Sequence, residues 1–99
     1  MPIVILRAQL RAGFEHEVDE LLVAARDFAA ISAGFVAFDR AVGTDGESIV
    51  LLEFESHETL AAWRDHPDNI ATQATRRDRL FKRYSIQVCD VVRAYDFAG

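Results

Sequence analysis

The residues best suited to chemistry lie close together in the second half of the chain, between Trp63 and Asn69. Trp63 is the only tryptophan, and its indole offers a flat wall for an aromatic ligand. His66 precedes Pro67, and a neutral imidazole near pH 7 can accept a phenolic or enolic proton. Asn69 can donate a hydrogen bond to a substrate oxygen. This stretch therefore predicts a small-molecule site with His66 and Asn69 as the catalytic candidates.

Two of these residues also have a purely structural interpretation. Trp63 follows Leu60 by three positions, so both lie on one side of a short helix and Trp63 can anchor that helix in the core. His66 can satisfy the free backbone groups at the start of the next helix, or remain in water. The sequence leaves both interpretations open for each residue.

Three further residues complete the predicted substrate-binding set with Trp63. Arg77 falls on the apolar side of a predicted helix, beside Ala74 and Phe81 at about 100° per residue. There Arg77 can run its aliphatic stem along the edge of the core, or it can stabilise a substrate anion. Phe38 and Phe81 are the two aromatic residues predicted to contact the substrate.

Composition limits the class of protein. A chain of 99 residues with 51% hydrophobic and 27% charged residues is typical of a single folded domain, here residues 1–99. The net charge of −5 argues against binding to nucleic acid or to an anionic membrane, although basic residues cluster over 76–83. No apolar run is long enough to span a bilayer. The single cysteine, Cys89, is predicted to be a buried apolar residue, and its lack of a disulfide partner fits the cytoplasm.

Hydrophobic periodicity and turn residues predict the order β-α-β-β-α-β. The predicted elements are strand 2–10, helix 14–31, strands 35–42 and 48–55, helix 57–65, a separate helical segment 67–82 and strand 84–97. Asp45-Gly46 predicts a hairpin between the two middle strands, and Ser56 is predicted to cap the helix that follows. Pro67 separates the last two helical segments. This is an α+β, ferredoxin-like layout with an antiparallel sheet.

The strands are apolar on both faces. In the first strand Ile3 and Ile5 alternate with Val4 and Leu6, and in the third strand Ile49 and Leu51 alternate with Val50 and Leu52. Helices can cover only one face of the sheet, so a second copy is the simplest cover for the other. We therefore predict a homodimer whose sheets pack face to face. Arg7 and Gln9 would lie at the dimer seam, where they could pair with an Asp or Glu of the partner.

The stretch Glu53-Phe54-Glu55-Ser56, followed by Trp63 and by His66-Pro67-Asp68-Asn69, resembles the antibiotic biosynthesis monooxygenase family. The resemblance implies a ferredoxin-like protomer in a dimeric α/β barrel. It also implies cofactor-independent oxidation of a small electron-rich aromatic, such as a hydroquinone, an anthrone or a polyketide-like molecule, by O2. Family members often carry a His directly after the Pro, where this chain has Asp68.

The haem-degrading branch of the same superfamily uses an Asn on the first strand and a His after the Trp. The matching positions here are Leu6 and Gln73, so we predict no haem, no other cofactor and no metal. Two alternatives to the monooxygenase stay open. One is a non-catalytic homodimer that binds a small apolar or aromatic ligand, as a stress-response protein would. The other is a cofactor-free isomerase or decarboxylase, since one fold serves several chemistries.

Overall fold

The computed structural model describes residues 1–69 and 78–99, in which four strands form one antiparallel sheet. The elements are β1 (Pro2–Leu10), α1 (Glu15–Ala30), β2 (Phe35–Val42), β3 (Ser48–Phe54), α2 (His57–Arg64) and β4 (Phe81–Asp90). Residues 67–69 and 78–80 are also helical. The strand order is β2-β3-β1-β4, and every neighbouring pair is antiparallel. The predicted ferredoxin-like βαββαβ protomer is confirmed.

The hairpin between β2 and β3 follows from its turn residues. Gly46 has φ +83, a conformation that side chains rarely adopt. The Asp45 carboxylate accepts a hydrogen bond from the Glu47 backbone N–H at 3.0 Å, and the Gly43 N–H donates to the Glu47 carbonyl at 2.8 Å. These bonds fix the pairing of Val42 with Ser48 and thereby the register of the whole hairpin.

A capping box starts α2 at the position that the sequence predicts. The Ser56 hydroxyl accepts from the Thr59 N–H at 3.1 Å, and the Thr59 hydroxyl accepts from the Ser56 N–H at 3.2 Å. Gly34, with φ +77, lies so close that an added Cβ would be 2.5 Å from the Thr59 hydroxyl oxygen. The same loop is held to the end of β3 by a 2.7 Å hydrogen bond from the Glu55 N–H to the Gly34 carbonyl. The start of α2 therefore packs directly on the loop before β2.

The hydrophobic core lies between the helices and one face of the sheet, in two parts. The α1 cluster consists of Ala8, Val18, Leu22, Val50, Leu80 and Phe81. The α2 cluster consists of Ala29, Leu52, Phe54 and Leu60. Phe38 packs against both clusters and so joins them. Phe54 is fully buried, which places the end of β3 at the centre of the α2 cluster.

The predicted limits of the last strand were wrong at both ends. The strand starts at Phe81 rather than at residue 84, because β1 continues to Leu10, which pairs with Phe81 beyond an irregularity in the register. It ends at Asp90 rather than at residue 97, because Asp90 pairs with Pro2, where β1 begins. Residues 91–97 have no β1 backbone left to pair with, and Val92 and Phe97 are 96% and 94% exposed.

The second face of the sheet, which we call the open face, carries no helix in the described part of the chain. Its centre is apolar, and Ile5 pairs in register with Leu51, itself flanked on β2 by Asp39. Leu51 is 39% exposed in the single protomer. Cys89 pairs with Ile3 and is exposed, so the prediction of a buried thiol was wrong for the single chain. Among the described residues, no helix is long and apolar enough to cross a membrane.

Candidate functional site

Trp63 packs on the α2 cluster but leaves its polar atom without a partner. Its ring lies 5.7 Å from the Phe54 ring, at an interplanar angle of 38°. The indole Nε1 is buried and has no hydrogen-bond acceptor among the described residues. A buried N–H without an acceptor costs about 1–3 kcal/mol, and such atoms are rare in folded proteins. Trp63 is therefore both a core residue and an unused hydrogen-bond donor.

An apolar strip on β4 lies beside the residues that support Trp63. Tyr84, Ile86 and Val88, which we call the β4 strip, face the helix side of the sheet and are 43%, 44% and 50% exposed. Val88 pairs in register with Val4, and Val4 packs against the α2 cluster as Trp63 does. At Val88, the described helices thus leave apolar surface of β4 exposed beside a residue that packs on the same cluster as Trp63, whereas Tyr84 lies nearer the α1 cluster.

His66 has contacts typical of a helix cap. Its Nδ1 accepts a hydrogen bond from the Asp68 backbone N–H at 3.2 Å, which satisfies one free donor at the start of the helical residues 67–69. The ring lies edge-on to Phe28 of α1, with 5.1 Å between ring centroids. The side chain remains 46% exposed. Of the two structural roles left open by the sequence, capping is the one that these contacts show.

Asn69 holds the backbone next to the tryptophan. It is only 8% exposed, and its side-chain amide donates to the Trp63 carbonyl at 3.0 Å. Its backbone N–H donates to the His66 carbonyl at 3.0 Å. The Asn69 side chain therefore closes the turn between α2 and the next helical residues, and it fixes the end of α2 that carries Trp63.

The other predicted substrate-binding residues lie in different places. Phe38 packs against the α2 cluster, as Trp63 does. Phe81 belongs to the α1 cluster and pairs with Leu10, six residues along β1 from Val4, which corresponds to about 20 Å. The structure thus brings Phe38 and Asn69 to Trp63 and places Phe81 at the opposite end of the sheet. Arg77 lies outside the described residues.

Charged side chains near α2 are solvent-exposed. His57 Nε2 lies 2.6 Å from Asp90 Oδ1, which ties the first turn of α2 to the end of β4, and both side chains are 62% exposed. At the other end of α2, hydrogen bonds from the Arg64 guanidinium lower the pKa of the Asp65 carboxyl. Within the described residues, no three His, Cys, Asp or Glu side chains are arranged to hold a metal ion.

Comparison with known proteins identifies the fold. No family model matches the chain, and no curated protein matches its sequence. A candidate antibiotic biosynthesis monooxygenase from Deinococcus radiodurans matches over 100% of both chains, with a TM-score of 0.86 and 13% identity. SnoaB, a cofactor-independent oxygenase from Streptomyces nogalater, matches over 94% of both chains, with a TM-score of 0.83 and 13% identity. The chain has the fold of the antibiotic biosynthesis monooxygenases.

A further match with this fold is Rv0793 from Mycobacterium tuberculosis, with a TM-score of 0.84 and 21% identity over 97% of this chain and 100% of that one. The protomer fold implied by the sequence resemblance is thereby confirmed. Sequence reasoning did not single out the β4 strip. The signal was present, because Tyr84, Ile86 and Val88 alternate along the last predicted strand and must share one face.

Proposed function

We propose that this chain is a cofactor-independent monooxygenase that uses O2 to oxidise a small electron-rich aromatic, such as a hydroquinone or an anthrone. The observation that carries the proposal is the buried indole N–H of Trp63, which has no acceptor among the described residues and lies on the same side of the sheet as the exposed β4 strip. An apolar surface with one directed donor suits a flat ligand that has a single oxygen to be bound. The fold shared with SnoaB, a cofactor-independent oxygenase, supports the same reaction class.

The chemistry needs little from the protein. Dioxygen reacts slowly with closed-shell molecules, but a phenolate or enolate can give it an electron. For an anthrone, one atom of O2 becomes the new ring carbonyl, and the other leaves as water with the two hydrogens of the methylene group. The protein must bind the substrate, accept a proton, stabilise the anion and keep water away.

Trp63 is proposed to stabilise the anion. Its ring packs on one side of the substrate, and its N–H donates to the phenolate or enolate oxygen, which favours the deprotonated form. A hydrogen bond to a charged oxygen contributes about 1.5–3 kcal/mol, more than a bond to the neutral substrate. The bond therefore strengthens as the reactive anion forms, which is the requirement for catalysis.

His66 or Asn69 is proposed to supply the proton transfer or a hydrogen bond to the substrate oxygen. Because His66 Nδ1 accepts from the Asp68 N–H, Nε2 carries the hydrogen of the neutral ring and can donate to a substrate oxygen, whereas accepting a substrate proton requires Nδ1 to release the Asp68 N–H. The Asn69 amide, bonded to the Trp63 carbonyl, positions the tryptophan and can contribute a polar contact. Arg77 is proposed to face the substrate anion, with Phe38 contributing an apolar contact, whereas Phe81 lies too far from Trp63 to contact the same small ligand.

We also propose that the chain acts as a homodimer through the open face. The apolar centre formed by Ile5, Leu51 and their neighbours has no cover in the described chain. The exposed Val92 and Phe97 add apolar surface of the kind that is buried by association.

A non-catalytic ligand-binding dimer is the second candidate. The observation that favours it is the capping role of His66, which engages one ring nitrogen of the proposed base in a structural bond. Such a protein would bind the same flat ligands without consuming O2.

Oxygen uptake with an anthrone or menadiol tests the enzyme proposal. Wild-type protein should accelerate uptake above the uncatalysed rate, and Trp63→Phe should lower the accelerated rate by about tenfold or more, because it keeps a ring but removes the N–H. The control is His16→Gln, on an α1 side chain that is 87% exposed. Saturable binding without faster uptake would favour the second candidate. Equal rates for wild type and Trp63→Phe would contradict the role of the indole.

A further inference from the structure

A cavity opens at the end of the sheet that lies away from Trp63. Its volume is about 440 Å³, which is within the range of small-molecule sites, and it is lined by Arg11, Asp78, Phe81, Lys82, Arg83 and Tyr84. We call it the basic cavity. Phe81 pairs with Leu10, about 20 Å along β1 from Val4, which packs on the same cluster as Trp63. A small ligand in the basic cavity therefore occupies a different place from one at Trp63.

An irregularity in the strand pairing places a lysine at this cavity. Gln9 of β1 pairs with Arg83 of β4. The next residue of β1, Leu10, pairs with Phe81, so Lys82 is an extra residue of β4 with no partner on β1. Extra residues of this kind redirect side chains out of the regular alternation, and they are common at the ends of sheets and beside active sites.

The extra residue also brings two aromatic rings to one side of the sheet. Phe81 and Tyr84 are three positions apart, and in a regular strand such residues point to opposite faces. Here Phe81 pairs with Leu10 and Tyr84 pairs with Ala8, and both β1 residues pack in the α1 cluster. The two ring centroids are 6.1 Å apart. Phe81 is buried, whereas the more exposed Tyr84 ring offers apolar surface to a ligand in the cavity.

The basic cavity carries unbalanced positive charge, although the chain as a whole has a net charge of −5. Its three cations, those of Arg11, Lys82 and Arg83, face a single carboxylate. That carboxylate belongs to Asp78, and none of these four side chains forms an ion pair within the described residues. Residues 70–77, which lie outside the described part, contain no Asp or Glu that could neutralise the cations.

Two acids at this end of the sheet are engaged with other arginines. Glu17 of α1 lies 3.0 Å from the Arg79 guanidinium, and Glu47 lies 3.2 Å from the Arg7 guanidinium. Arg79 is thereby neutralised, whereas the cations of the basic cavity remain available to an anion from solution. A basic site within an acidic protein selects such an anion locally, because the cations lie close enough to act before they are screened by salt.

We propose that the basic cavity is a second binding site, which takes an aromatic carboxylate with its ring against Tyr84 and its charged group bonded by Arg11 and Lys82. A guanidinium can donate two parallel hydrogen bonds to a carboxylate, and an ammonium adds a point charge. The Asp78 carboxylate repels the charged group and so directs it toward the cations. An inorganic anion would leave the Tyr84 ring unused, which is why the ligand is assigned both a ring and a charge.

Titration calorimetry with three probes separates the ring from the charge. Wild-type protein should bind 2-naphthoate saturably. The Kd of 2-naphthamide, which keeps the rings but carries no charge, should be about tenfold or more higher, because hydrogen bonds to a charged group are stronger than those to a neutral one. The Kd of acetate, which keeps the charge but has no ring, should also be about tenfold or more higher.

Two substitutions at exposed positions remove one cation each. Arg11→Gln and Lys82→Gln should each raise the Kd of 2-naphthoate about fivefold or more, and each should leave the Kd of 2-naphthamide within about twofold. Arg11→Gln keeps the local fold, because the backbone N–H of Arg11 and not its side chain donates to the Leu80 carbonyl, at 2.9 Å. The matched control is Arg26→Gln, which removes one positive charge from an exposed position of α1 and should change neither Kd.

Trp63→Phe distinguishes this site from the one proposed at Trp63, and it should leave the Kd of 2-naphthoate unchanged. An equal increase of that Kd in Trp63→Phe and in Arg11→Gln would place the ligand in a single site and overturn the inference. Equal Kd values for 2-naphthoate and 2-naphthamide would overturn it too, as would inorganic phosphate that binds as tightly as 2-naphthoate. A preference for 2-naphthoate that Arg11→Gln and Lys82→Gln abolish, and that Arg26→Gln leaves intact, is the result expected.

Discussion

Alanine at Gly34 is expected to lower the free energy of unfolding by about 2–5 kcal/mol. Two costs combine. The residue has φ +77, where a side chain costs about 1–2 kcal/mol, and the new Cβ would lie 2.5 Å from the Thr59 hydroxyl oxygen and 2.6 Å from the Thr59 Cβ. Thr59 cannot rotate away, because its hydroxyl belongs to the box that caps α2. Chemical denaturation of Gly34→Ala and wild type measures the difference.

Gly46→Ala is the matched control for Gly34→Ala. Gly46 has a similar φ of +83, but nothing lies within 4 Å of the Cβ position, so only the backbone cost of about 1–2 kcal/mol applies. The excess loss in Gly34→Ala, about 1–3 kcal/mol, reports the contact between the loop and α2. An equal decrease in the free energy of unfolding in the two variants would contradict the close contact between Gly34 and Thr59, which positions α2.

Lysine at Leu51 is expected to convert the proposed dimer to a monomer. Leu51 lies at the centre of the open face, between Asp39 on β2 and Ile5 on β1, and it is 39% exposed in the single protomer. In a face-to-face dimer, two lysines related by symmetry would be buried close to the axis. Burying such charges costs several kcal/mol, so the dimer Kd should rise by about 10³-fold or more. Sedimentation velocity over a range of protein concentrations measures the change.

The control for Leu51→Lys is Val23→Lys. Val23 lies on α1, on the other side of the sheet, and is 48% exposed. This variant should sediment as wild type does. A Leu51→Lys protein that remains dimeric at nanomolar concentration would show that the open face is not the surface through which copies associate.

The sequence predicted the elements whose causes are local. Asp45-Gly46 specifies its turn through one carboxylate bond and one positive φ, and Ser56 caps α2 through a residue three positions away. Alternation along β1 and β3 predicted two apolar faces, and the observed registers place those residues as expected. The turn and the cap depend on residues close in sequence, and the two apolar faces depend on a period of two. None of these predictions requires knowledge of the partner strand.

The misplaced strand limits have a non-local cause. The extent of β4 is set by β1, about 80 residues away in sequence, which offers hydrogen-bonding partners only from Pro2 to Leu10. The aromatic residues after Asp90 have strand propensity but no strand partner among the described residues. Propensity alone could not show this, because it describes fit to a sheet and not the presence of a neighbour.

The sequence predicted which residues form the candidate site, but it did not predict the contacts that they make. Trp63 was identified from its type and its place on a short helix. That its N–H has no acceptor depends on the packing of α2 over Phe54 and could not be read from the sequence. The cap formed by His66 and the bond from Asn69 to the Trp63 carbonyl likewise depend on the turn after α2.

The proposed contact between Trp63 and a flat aromatic ligand can be measured on the residue itself. Trp63 is the only tryptophan, so the intrinsic tryptophan fluorescence of the protein comes from the proposed site alone. Titration with an anthraquinone, the oxidised product form that does not react with O2, should quench this fluorescence along a saturating curve with a micromolar Kd. Quenching that only rises in proportion to ligand concentration, as in free tryptophan, would contradict a ligand site at Trp63.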